Sequence, residues 1–129
     1  MVTSFYLGLL TFLYFKISLA VIKGRQSQKI SLGGGTENEI LHLTSAHNNF
    51  ASYTPLFLFA LYLLEIQEIS LILIHILGVT FFIGRILHYH SMKEKISNFK
   101  LRKLGMMMTL WPLLIVALAN IITSVKTLW

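Results

Sequence analysis

The sequence predicts an all-α integral membrane protein, a four-helix bundle forming a single domain over residues 1–129. Three observations lead there. Charged residues make up 12% of the chain against 55% hydrophobic, whereas soluble domains are roughly a quarter charged. Four mainly apolar windows run over 2–22, 44–64, 69–89 and 104–125, each near the ~20 residues a ~30 Å hydrocarbon core requires of a helix. Basic residues cluster in two of the three connections and avoid the other. Helices of this length satisfy their own backbone groups in lipid. The same composition excludes disorder, which needs high charge and few aromatics. The chain has no cysteine, so disulfides, thiolate metal sites and a cysteine nucleophile are excluded.

The first window carries one charge, Lys16. It lacks the basic flank and cleavage site of a signal peptide and exceeds the usual ~7–15 apolar residues, so it reads as a span. The connection after it holds Lys23, Arg25 and Lys29, then Ser31-Leu32-Gly33-Gly34-Gly35. Those glycines read as a flexible turn. Without a following Lys-Ser/Thr they make no phosphate-binding loop. Thr36 and Glu39 fit a capping box, which predicts that the second helix begins near Glu37. Pro55 removes one hydrogen bond from that helix and is expected to kink it.

The connection Glu65-Ile66-Gln67-Glu68 has no basic residue. The third window holds Arg85 near its end, and Lys93, Lys95, Lys100, Arg102 and Lys103 follow. The fourth has no charged side chain. Its Met106-Met107-Met108 run reads as adaptable packing rather than a soft-metal site. By the positive-inside rule both basic connections face the cytoplasm and both termini face away from it. The net charge of +6 is thus a topology signal, and no nucleic-acid partner is predicted.

Polar groups within a membrane are costly and mark function. In this topology Lys16, the cluster His47, Asn48, Asn49, Ser52 and Tyr53, and the cluster Arg85, His88 and Tyr89 share one depth, near the inner headgroups. Arg102 stands just ahead of the fourth span. The outer halves read as nearly pure Leu, Ile, Phe and Val. Ser45, Asn49 and Ser52 lie on one helical face, as do Arg85, His88 and Tyr89. A site built from these faces would be cationic and rich in donors, suited to an amphipathic anion with carboxylates. His42, His47, His88 and His90 are joined by no carboxylate in a metal-binding motif, and no metal is predicted.

Three segments in this order resemble the MAPEG family (membrane-associated proteins in eicosanoid and glutathione metabolism), especially its short bacterial inner-membrane branch. Residues 46–55, Ala-His-Asn-Asn-Phe-Ala-Ser-Tyr-Thr-Pro, are similar to the family's Arg-x-His-x-Asn-x-x-Glu-Tyr-x-Pro. Gly84-Arg85-Ile86-Leu87-His88-Tyr89 resembles its Gly-Arg-x-x-His/Tyr. Arg102-Lys103-Leu104-Gly105-Met106 resembles the basic residue and Gly-Met that open its fourth helix. The likeness extends over nearly the whole chain. It departs where Ser45 stands for the family's Arg, Ser52 for its Glu, and Met92 for a frequent Tyr.

The resemblance implies a homotrimer of left-handed bundles in the bacterial inner membrane, with glutathione as cosubstrate at the subunit boundary. It places Asn49 and Tyr53 against the peptide, Arg85 and His88 in the pocket, and Arg102 beside the thiol as the catalytic residue. Arg25 would meet a carboxylate, and Ser52 and Tyr89 lie on the same two ligand-facing surfaces. The expected chemistry is a glutathione transferase or peroxidase-like reaction. A guanidinium favours the thiolate, which attacks a lipophilic electrophile arriving from the membrane lipids. The alternative is a non-catalytic protein that binds a lipid or amphipathic anion. A proton-coupled transporter would want a carboxylate within the membrane, and the acids near spans are Glu65 and Glu68, in the outer turn.

Overall fold

The structure is a computed structural model and describes residues 1–32, 40–93 and 98–128. Four helices follow one another: α1 (Val2–Gln28), α2 (Leu41–Ile66), α3 (Leu71–Met92) and α4 (Phe99–Leu128). Each is long and apolar enough to cross a membrane. The glycine turn and the Thr36/Glu39 capping box lie outside the described residues. α2 begins at Leu41, not near Glu37 as expected: Ile40 is its N-cap, with a non-helical φ of -109°, and the Ile40 carbonyl accepts the first helical bond, from the Thr44 N–H at 3.0 Å. The helix runs on through Pro55 without interruption.

Every helix is longer than its apolar window, because a helix does not end where the hydrocarbon does. Lys23 and Arg25, expected in a connection, belong to α1. Arg102, expected ahead of the fourth span, belongs to the first turns of α4. The helix ends have local causes. Lys29 adopts a left-handed conformation, φ 55°. Its N–H reaches the Gln26 carbonyl, and that of Ile30 reaches Arg25. Glu68, φ 58°, closes α2 in the same manner, with Glu68 bonded to Glu65 and Ile69 to Leu64. Both are Schellman closures without the usual glycine. Asn98 caps α4, its Oδ1 accepting the Leu101 N–H at 3.1 Å. The start of α1 is capped from another helix: the Glu65 carboxylate accepts the N–H groups of Val2 and Thr3.

The packing follows from the buried stripes. α1 buries Thr3, Tyr6, Leu10 and Ile17, spaced to one face. α2 buries Phe50, Phe57, Leu61 and Leu64, and α3 buries Ile74, Leu77 and Phe81. The Phe57 and Phe81 rings stack at the centre. α2 and α3 touch each other and each also touches α1 and α4, whereas no Cα of α1 comes within 8 Å of one of α4 among the described residues. α3 and α4 share the most extensive seam. With no hydrophobic force between helices in lipid, close approach at small residues must hold such a seam. A Cβ on Gly105 would lie 2.6 Å from the His88 backbone nitrogen, and one on Gly84 would lie 2.9 Å from the Met108 carbonyl carbon. Thr109, fully buried one turn beyond Gly105, completes a small-xxx-small spacing.

The half of the bundle that holds the start of α1 and the end of α4 is less purely aliphatic than the sequence suggested. The Tyr6 hydroxyl meets His75 Nδ1 at 3.0 Å and the His75 carbonyl at 3.2 Å. Gln67 donates to Asn120 Oδ1 at 3.2 Å, and Asn120 donates to the Ala60 carbonyl at 2.9 Å. With the Glu65 cap, these bonds tie all four helices together at the end where α1 starts and α4 finishes. They escaped the reading because isolated polar residues on different helices carry no periodic signal.

Candidate functional site

The site is centred on Arg85, which lies near the C-terminal end of α3 and is 1% exposed. Asn49 on α2, Arg85 on α3 and Met106 on α4 each stand about two turns, roughly 11 Å, from the helix end at the face of the bundle opposite the start of α1. The common depth expected of Asn49 and Arg85 brings these two together, and Met106, expected only to pack, joins them.

Arg85 Nη1 donates to Asn49 Oδ1 at 2.7 Å and approaches the Asn49 carbonyl at 3.5 Å. Nη2 points to the Met106 sulfur at 3.7 Å, and Asn49 Nδ2 points to the same sulfur at 3.9 Å. Nε is buried without a partner among the described residues. The guanidinium carbon lies 5.8 Å from the ring centroids of both Tyr53 and Phe81, within cation–π range. Two acids, Glu65 and Glu68, are present among the described residues. Both sit at the opposite end of the bundle, so no described carboxylate neutralises Arg85. An unpaired cation in a low-dielectric interior costs several kcal/mol. What surrounds it is an amide oxygen, a thioether and two ring faces, all weaker than a carboxylate.

His88, one turn further inward and 3% exposed, packs its backbone against Gly105. Tyr89 is buried beside it, its ring 5.9 Å from that of His90. Arg102 is exposed in the first turn of α4, its backbone bonded to Asn98. Arg85 and His88 thus stand one turn apart on α3, and Arg102 stands in the first turn of α4, the helix packed most extensively on α3.

Other expected residues stand apart from the Arg85 cluster. Ser52 is exposed, and its hydroxyl donates to the Asn48 carbonyl of its own helix at 2.8 Å. Arg25 closes the end of α1, with Nη1 3.4 Å from the Ser31 carbonyl. His47 belongs to the α1–α2 contact: Nε2 lies 3.2 Å from Ser18 Oγ, and its ring lies 4.9 Å from that of Tyr14. The Ser18 hydroxyl already donates to the Tyr14 carbonyl, so His47 is the donor. Lys16 is exposed on α1, where it can snorkel to the headgroups.

Met106 was read only as packing, and its place beside Arg85 was missed. The signal was its position, one residue past Gly105, the residue that lets α4 approach α3 closely enough for the sulfur to reach the guanidinium.

Comparison with known proteins adds the following. The family model described as "MAPEG family" matches residues 3–122. Two relatives carry the name "Inner membrane protein YecN", from Escherichia coli strain K12 and from Escherichia coli O6:H1 strain CFT073. Each is 28% identical over 121 residues, covering 94% of this chain and 91% of its own length.

Proposed function

The chain belongs to the MAPEG family, and on that footing we propose that it is a glutathione-dependent enzyme of the bacterial inner membrane. It activates the glutathione thiol for attack on a lipophilic electrophile. The observation that carries this reading is the buried Arg85 guanidinium, which has donors to spare and no described carboxylate to neutralise it. A glutathione carboxylate is the kind of partner such a group lacks.

In this reading Arg85, Asn49 and Tyr53 hold the peptide, with His88 and Tyr89 forming the inner wall. Arg102, exposed at the headgroup level, stands beside the thiol. Its positive charge favours the thiolate, and the thiol proton passes to solvent. The thiolate sulfur then bonds to the electrophilic carbon of a substrate arriving from the membrane lipids, whose leaving group departs with its electron pair. Holding the two reactants in line supplies much of the rate. The working unit in this proposal is a homotrimer with glutathione at the subunit boundary. The basic residues at the inner helix ends face the cytoplasm, and both termini lie outside it.

A second reading, a non-catalytic carrier of an amphipathic anion, is favoured by one observation. The Ser52 hydroxyl is engaged by its own helix, at a position where the family resemblance implies a charged residue. A conjugation assay with a generic aromatic electrophile separates the two. Native protein should turn over, and Arg102→Ala should lose most of that rate. Equal rates would remove Arg102 from the chemistry. No turnover, with no glutathione binding by calorimetry, would leave the carrier reading, for which co-purified lipid is the expected mark.

A further inference from the structure

Three donor groups of the Arg85–Asn49 pair lack a strong acceptor among the described residues: Arg85 Nη2, Arg85 Nε and Asn49 Nδ2. Two of these groups converge on one atom, the Met106 sulfur, at 3.7 and 3.9 Å. A thioether is a weak acceptor, so the sulfur holds both donors without satisfying either fully. Arg85 is almost wholly buried, whereas Met106 is partly exposed and has an unbranched, flexible side chain. A rotamer change can move the sulfur aside without unpacking the α3–α4 seam, which rests on Gly84, Gly105 and Thr109 instead.

We propose that Met106 is a positioning residue that sets the affinity of this site, because its sulfur competes with an incoming carboxylate for the same two donors. This rests on the reading of the site as a carboxylate receptor. With the ligand absent, the sulfur keeps the guanidinium and the amide turned toward one point. When a carboxylate arrives, two stronger oxygen acceptors replace it, and the thioether swings away. The chemistry recognised is a carboxylate on a flexible polar molecule, reached from the inner headgroup level.

The competition makes affinity and stability move in opposite directions. Met106→Leu keeps the bulk and removes the acceptor. The two donors are then unpaired in the ligand-free protein, so the unfolding temperature falls. The bound state is unaffected, so the dissociation constant drops by about two- to tenfold, the worth of one neutral hydrogen bond. Met106→Gln supplies an amide oxygen, a better acceptor than sulfur, and binding weakens by about tenfold or more. A side chain that merely packs would show neither the opposite signs nor the tighter binding of the leucine variant.

The experiment is calorimetric titration of the full chain and both variants in detergent, with glutathione and with glutarate, a dicarboxylate without a thiol, alongside thermal unfolding. Tighter binding with lower stability in Met106→Leu supports the proposal. Unchanged or weaker binding in that variant overturns it. If glutarate shows this pattern while glutathione does not bind, the inference stands and the glutathione reading falls. If neither binds to any form, both fall. Should Met106→Gln fail to fold, the leucine variant alone decides.

Discussion

Replacing Arg85 by methionine should abolish ligand binding without unfolding the protein. Arg85 is 1% exposed, so its charge has been stripped of water. A buried ion pair that loses one partner normally costs about 3–5 kcal/mol, because the other charge is left uncompensated. Arg85→Met leaves no such charge behind. It forfeits the bond from Nη1 to Asn49 Oδ1, 2.7 Å long and worth about 1.5–3 kcal/mol as a bond to a charged group. It regains the desolvation cost of the cation, several kcal/mol. The methionine also retains contact with Phe81 and Tyr53, whose rings flank the guanidinium. The two sides nearly cancel, so the variant should lie within about 2 kcal/mol of the native protein.

The converse change is sharper. Asn49→Ala keeps the cation and removes its best partner, and should cost more than Arg85→Met does. Both are measured by unfolding in mixed micelles, followed by circular dichroism, with glutathione titration beside it. A loss of about 3–5 kcal/mol in Arg85→Met would refute the reasoning. It would mean that a carboxylate outside the described residues, or on a neighbouring subunit, neutralises Arg85 in the membrane.

Three further outcomes follow from the geometry. Gly105→Ala places a Cβ 2.6 Å from the His88 nitrogen and 2.9 Å from the Gly84 oxygen, and backbone cannot rotate away. It should destabilise by about 1–3 kcal/mol and weaken ligand binding, whereas Gly8→Ala, with nothing within 4 Å, should be neutral or mildly stabilising. Glu65→Ala removes the acceptor for the first two N–H groups of α1. It should cost about 0.5–2 kcal/mol, as helix-cap losses do, seen first as faster hydrogen exchange at the start of α1. For orientation, a periplasm-dependent phosphatase fused to the C-terminus should be active, and a fluorescent protein that folds only in the cytoplasm should be dark. The reverse pattern would invert the topology.

The helices were legible because hydropathy over twenty residues is a summed signal that single polar residues do not erase. The shared depth of Asn49 and Arg85 was legible for a related reason, since topology converts position along the chain into height in the membrane. Contacts between helices were not. Nothing in the chain announces that the Asn49 amide, rather than Ser52 one turn on, faces Arg85, because helix rotation is set by the whole packing. The third member, Met106, was hidden in a run of three identical residues. The helix ends were obscured because Lys29 and Glu68 take left-handed conformations that glycine usually marks. The outer network of Tyr6, His75, Gln67 and Asn120 was masked by its spread over four helices.

The most direct test is an experimental structure of the protein with glutathione bound. A peptide carboxylate should lie within hydrogen-bond distance of Arg85 and Asn49, with the Met106 sulfur displaced and the thiol on the Arg102 side. Glutathione bound elsewhere, or Arg85 already paired with a carboxylate of the protein, would contradict the account.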